Sequence, residues 1–167
     1  MAMYHPLEDV NHCVFRMMLL TRDLAANPTL ETFRIMDFYC LFPSALSEIR
    51  LPRKYLKYKQ IFKEIPPPYE LLPNNAALFD KLRHIQNNAM GCLVSLGFFD
   101  RAGFLDGVVA PTTQPLPLKI QEKITTSPLL GEEWFGFLTE AMPLFPSDGP
   151  DGWKARTQLD EFRYDSK

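Results

Sequence analysis

Three cysteines and eight glycines are few for a chain of 167 residues, and long apolar runs are lacking. Cys13, Cys40 and Cys92 are odd in number, widely spaced and set inside apolar stretches. That pattern excludes a disulfide framework and fits buried thiols in a reducing compartment. The apolar stretches are interrupted by Arg or Asp well short of the roughly 20 residues a membrane helix needs. No signal-peptide pattern opens the chain, so a soluble, cytoplasmic protein without membrane contact is expected. Net positive charge is also lacking: 18 Lys and Arg stand against 20 Asp and Glu, a net charge of −2. Contact with nucleic acid would therefore need a local basic patch.

The usual carriers of chemistry are missing too. There is no C-x-x-C, no H-E-x-x-H, no acidic calcium loop, no G-x-S-x-G and no phosphate-cradling glycine loop with its lysine. His12 and Cys13 are adjacent and so point to different sides of a helix. Glu132-Glu133 stand where a helix is expected to start, and acids there favour the helix dipole without any catalytic role. Asp151 with Glu161 and Arg163 only faintly resembles a nuclease motif, with arginine in place of the expected lysine. No catalytic residue, metal ligand or cofactor is therefore expected, and the protein reads as a non-enzyme.

What is present is helical punctuation and proline. Asp9 caps a first helix expected to reach about Ala26, and Thr29 caps a second that ends at Phe42-Pro43. Leu51, Tyr55, Tyr58, Phe62 and Ile65 recur at helical spacing through a third segment. Pro66-Pro67-Pro68 impose an extended connection. Asn74 or Asn75 then caps a long helix striped by Leu78, Leu82, Ile85, Ala89, Leu93 and Leu96, with Gly97 at its left-handed cap. Phe98-Phe99 and Phe104–Val109 around a turn read as a β-hairpin. A helix followed by Leu-Gly-Phe-Phe and a hairpin is the order of a winged helix-turn-helix. The fold expected is mainly α (α+β). Residues 1–110 would form the winged-helix-like domain, and 111–167 a proline-rich C-terminal extension with a short aromatic helix and a frayed end.

Three constellations are candidates for binding. Arg50, Arg53, Lys54, Lys57, Lys59 and Lys63 fill the polar side of the third segment with no acid among them. The remainder of the chain, with 12 basic and 20 acidic residues, therefore carries −8. Such asymmetry marks either a nucleic-acid or acidic-partner surface, or a solvated face. On the long helix His84, Asn87 and Asn88 lie away from the leucine stripe, where a recognition helix would read bases and a scaffold helix would face water. Trp134, Phe135, Phe137 and Met142 form an aromatic cluster that either anchors a partner or closes over the protein's own core.

A run of motifs carries a family resemblance: Arg34 through Pro43 (RIMDFYCLFP), Pro68 through Pro73 (PYELLP), Leu78-Phe79, Ile85-Gln86 and Leu96-Gly97-Phe98-Phe99. In this order they resemble the middle component of ABC-three-component systems, bacterial operons that include Lamassu anti-phage defence. The resemblance spans roughly residues 8–110. It implies a non-catalytic, winged-helix-like subunit between an SMC/Rad50-like ATPase and an effector nuclease, restraining the complex until foreign double-stranded DNA is sensed. Arg34 and Asp37 match family positions, and an i, i+3 ion pair between them is the simplest account of their spacing. The competing class is a free-standing winged-helix transcriptional regulator.

Overall fold

A computed structural model describes residues 9–69 and 74–161. Local caps set the first helices. Asp9 accepts from the His12 amide at 3.1 Å and starts α1, Val10–Leu20. Thr29 accepts from the Thr32 amide and starts α2, Leu30–Leu41, which ends before Pro43. α1 stops six residues short of the expected Ala26. Thr21 turns its hydroxyl back onto the Met17 carbonyl at 2.9 Å, and the Ala25 amide bonds to the Thr139 carbonyl far along the chain.

A 3₁₀ segment, Pro43–Glu48, leads to the basic stretch, which is not one helix. Pro52 precedes a 3₁₀ turn at Arg53–Tyr55, and only Tyr58–Lys63 forms a helix, α3. The long leucine-striped helix is likewise two: α4, Asn75–Lys81, capped by Asn74, and α5, Arg83–Ser95. Their junction at Leu82 stays in the right-handed helical region, so the stripe Leu78, Leu82, Ala89 and Leu93 is buried as one row.

Gly97 has φ +83° and closes α5 in a Schellman arrangement. The Phe98 amide donates to the Leu93 carbonyl and the Gly97 amide to the Val94 carbonyl. An added Cβ would also lie 2.5 Å from the Gln114 side-chain oxygen.

The β-hairpin wing is not there. Among the described residues no strand forms; only isolated bridges pair Phe99 with Pro111 and Thr29 with Val108. Asp100 is the reason. Its carboxylate accepts from the Gly103 amide at 2.8 Å and caps a short helix, α6, Arg101–Leu105, within the expected hairpin. The fold is therefore mainly α, without a winged helix.

Beyond residue 110 the chain forms α7 (Leu118–Thr125), α8 (Glu133–Glu140) and α9 (Trp153–Thr157) with 3₁₀ turns between them. These join the same hydrophobic cluster as α1, α2 and α5, through Ile124, Phe135, Phe137, Leu138, Met142 and Trp153. Trp153 is fully buried and its indole N–H donates to the Met142 carbonyl at 2.9 Å. Gly152 is required just before it, because a Cβ would collide with the Ser147 and Asp148 backbone. Leu159 is also buried, so the expected fraying does not extend to it. Arg163, named in the faint nuclease resemblance, lies outside the described residues.

Candidate functional site

All six expected cations, Arg50, Arg53, Lys54, Lys57, Lys59 and Lys63, are exposed. They alternate along the chain with Tyr55, Tyr58 and Phe62, which pack inward against Phe137 at ring-centroid distances of 5.9, 4.9 and 5.0 Å. Among the described residues none of the six has a carboxylate within 4.0 Å. Two lie instead against aromatic rings. The Lys54 ammonium is 5.0 Å from the Tyr55 ring centroid and 5.4 Å from that of Phe145, and the Lys57 ammonium is 5.2 Å from Tyr58. Ring faces attract cations without neutralising them.

One residue missed from the sequence braces this face without adding a free cation: Arg156, whose guanidinium is paired with Asp151 at 3.6 Å. Arg156 donates to the Arg50 carbonyl at 2.9 Å, the Arg50 amide donates to the Arg156 carbonyl, and the Arg156 guanidinium lies over Phe145 at 5.5 Å. Its distance in sequence, 106 residues from Arg50, concealed this pairing. On the other side the face is bounded by a groove of about 400 Å³ between Lys57 and Tyr58 and the acids Glu132, Glu133 and Glu140.

His84, Asn87 and Asn88 are exposed on α5, so the expected polar side of that helix faces solvent. Without a wing beside it, however, the helix lacks the partner element of a winged recognition surface. Trp134, Phe135, Phe137 and Met142 are all buried, Phe137 and Met142 completely. The aromatic cluster closes over the protein's own core, with Trp153 and Tyr55 stacked around it, and in this state those four side chains offer no anchor to a partner.

The family-motif residues do something else. Asp37, fully buried, accepts two hydrogen bonds from Arg16 on α1, at 2.8 and 3.1 Å, and one from the Gln86 side-chain amide on α5 at 2.9 Å. That amide also donates to the Arg34 carbonyl, while the Gln86 side-chain oxygen accepts from Arg34 Nε at 2.9 Å. Arg34 thus turns away from Asp37. It pairs with Glu31 at 3.4 Å and spreads over the Phe79 ring at 4.3 Å, so the expected Arg34–Asp37 pair is not formed.

Burial pushes the Arg16 guanidinium down, but the carboxylate and hydrogen bonds of Asp37 outweigh it and raise its pKa. For Arg34 burial wins over the Glu31 charge and the pKa falls, with Nη2 buried and without a hydrogen-bond partner among the described residues. Cys13 donates weakly to Asp37 at 3.7 Å, and burial, then the Asp37 charge, push its thiol far up. The Cys40 thiol is pushed up to about 12, mainly by burial. These are inert thiols in a structural network, not nucleophiles. Among the described residues no group of three His, Cys, Asp or Glu side chains stands together to hold a metal.

The model of one family, ABC-three component (ABC-3C) system Middle Component 5, matches residues 2–165, nearly the whole chain. The chain belongs to this family. The match runs well past residue 110, so the proline-rich third is part of the family pattern even though it offered no recognisable motif. As a middle component, the chain is an accessory subunit of an ABC-three-component defence system. No curated protein and no solved structure matches it. No helix among the described residues is long and apolar enough to cross a membrane.

Proposed function

We propose that this middle component is a non-catalytic docking subunit of an anti-phage complex, of the Lamassu kind, and that its basic face contacts duplex DNA held by the assembled complex. The ATPase and effector nuclease would supply the chemistry, and this chain would supply position and charge. The single observation that carries the reading is the set of six exposed cations at 50–63 with no carboxylate partner among the described residues.

An ion-paired lysine has little left to offer a phosphate, whereas an unpaired one releases counterions from DNA on contact. Holding Lys54 and Lys57 on aromatic rings also reduces the side-chain freedom that binding would otherwise remove. The acids around the groove beside Lys57 repel phosphate, so a duplex would run along the side formed by Arg50, Arg53 and Lys54.

The test is binding of a fluorescent duplex at salt concentrations from about 50 to about 200 mM, the range over which counterion release is resolved. The triple reversal Arg53→Glu, Lys54→Glu, Lys57→Glu should weaken binding and flatten the slope of log K against log salt by about 0.9 for each phosphate no longer neutralised. Thermal stability should barely change, because all three side chains are exposed. Unchanged affinity and slope would remove DNA contact from the account. A free-standing winged-helix regulator has no structural premise without the wing.

A further inference from the structure

Between α3 and α4 the chain runs through Pro66-Pro67-Pro68-Tyr69, and every one of these residues is exposed. Tyr69 is 109% exposed, as open to water as a tyrosine in an extended chain, so it packs on nothing among the described residues. Residues 66–69 make no hydrogen bond with the described residues. A linker needs none of this. Gly and Ser span gaps with less stiffness, and a large aromatic ring left in water forgoes the roughly 150–250 Å² of burial such side chains usually find.

The same four residues fit a docking ligand well. Three consecutive prolines have φ preset near about −65°, which favours a polyproline II turn before any partner arrives. Among the described residues their carbonyls accept no hydrogen bond, and prolines carry no amide donor that binding would strand. Little conformational entropy is left to lose on binding, and the aromatic ring at the end supplies a single large anchor. Protein modules that take such ligands do so with a groove lined by Trp and Tyr, whose N–H and O–H groups reach the carbonyls.

We infer that Pro66–Tyr69 is a recognition ligand that inserts into an aromatic-lined groove on another component of the three-component complex, an inference that rests on the subunit reading above. A second copy of this chain is a poor receptor. Its groove beside Phe98 and Phe99 offers no ring-borne N–H or O–H donor to the proline carbonyls, and its groove beside Tyr58 is rimmed by Glu132, Glu133 and Glu140. The segment also differs in chemistry from the basic sequence of α3, since it is uncharged and its docking would be insensitive to salt.

The experiment measures the affinity of the full chain for each of the other purified components, using the wild type and the variants Tyr69→Ala, Tyr69→Phe and Pro67→Ala. Tyr69→Ala should weaken binding to one component at least about tenfold with melting temperature unchanged, as for the removal of an interface anchor. Tyr69→Phe should keep most of the affinity, and Pro67→Ala should lose part of it by loosening the polyproline turn. The weakening should persist across salt concentrations, unlike that of the Lys54 and Lys57 reversals. If the wild type binds a component and Tyr69→Ala binds it equally well, the ligand assignment falls and the subunit reading stands. If the wild type binds neither component, both fall. Self-association abolished by Tyr69→Ala, with no effect on the other components, would overturn the assignment in favour of a second copy.

Discussion

Asp37 shows how a motif residue can carry the fold without touching any ligand. Its carboxylate is surrounded by donors from two other helices, Arg16 on α1 and Gln86 on α5, and it has no access to water. Such a pair is weak evidence for net stability, since two charges were taken out of water to make it. Removing one member is different, because the other is left charged and buried. Asp37→Ala should therefore lower the unfolding free energy by about 3–5 kcal/mol, read by urea denaturation. A change below about 1 kcal/mol would mean that water reaches Arg16 in the variant and that Asp37 does not bolt the helices together. Little of this network was legible beforehand. Arg34, Asp37 and Gln86 could be picked out as motif positions, but the partners lie 21 and 49 residues away from Asp37, and spacing on one helix suggested the wrong pair.

At the scale of elements, signals confined to a few residues were readable and those set by distant neighbours were not. Asp9, Thr29 and Asn74 cap helices because a short polar side chain satisfies amides two or three residues on, a purely local event. Gly97 ends α5 for an equally local reason. Gly97→Ala should lower stability by about 1–2 kcal/mol, the penalty for a Cβ in left-handed backbone. It should also displace Gln114, which caps the Leu96 carbonyl at 2.8 Å. Thermal melting checks this, and an unchanged midpoint would mean that the helix end relaxes to an ordinary turn. The wing failed for a competing local signal: Asp100 followed by Arg101-Ala102 caps and starts a helix where an apolar run had suggested a strand. The basic stretch divides into a 3₁₀ turn after Pro52 and a helix from Tyr58, and Tyr55 and Tyr58 pack one piece each against Phe137.

Across the whole molecule, the proline-rich third is a wall of the core. Phe137, Met142 and Trp153 close over α2 and α3, so the aromatic cluster that could have met a partner is consumed by self-packing. Whether an aromatic helix faces in or out depends on what else lies against it, which composition does not encode. Among the described residues, the basic side chains at 50–63 and the proline-tyrosine segment remain exposed. Both belong to a chain whose family is that of a middle component. The most direct test of that account is co-expression of the chain with the other two components, followed by size-exclusion chromatography with light scattering. The account predicts stoichiometric co-elution in a complex of all three. Elution of this chain alone, with the other two components found together without it, would contradict it.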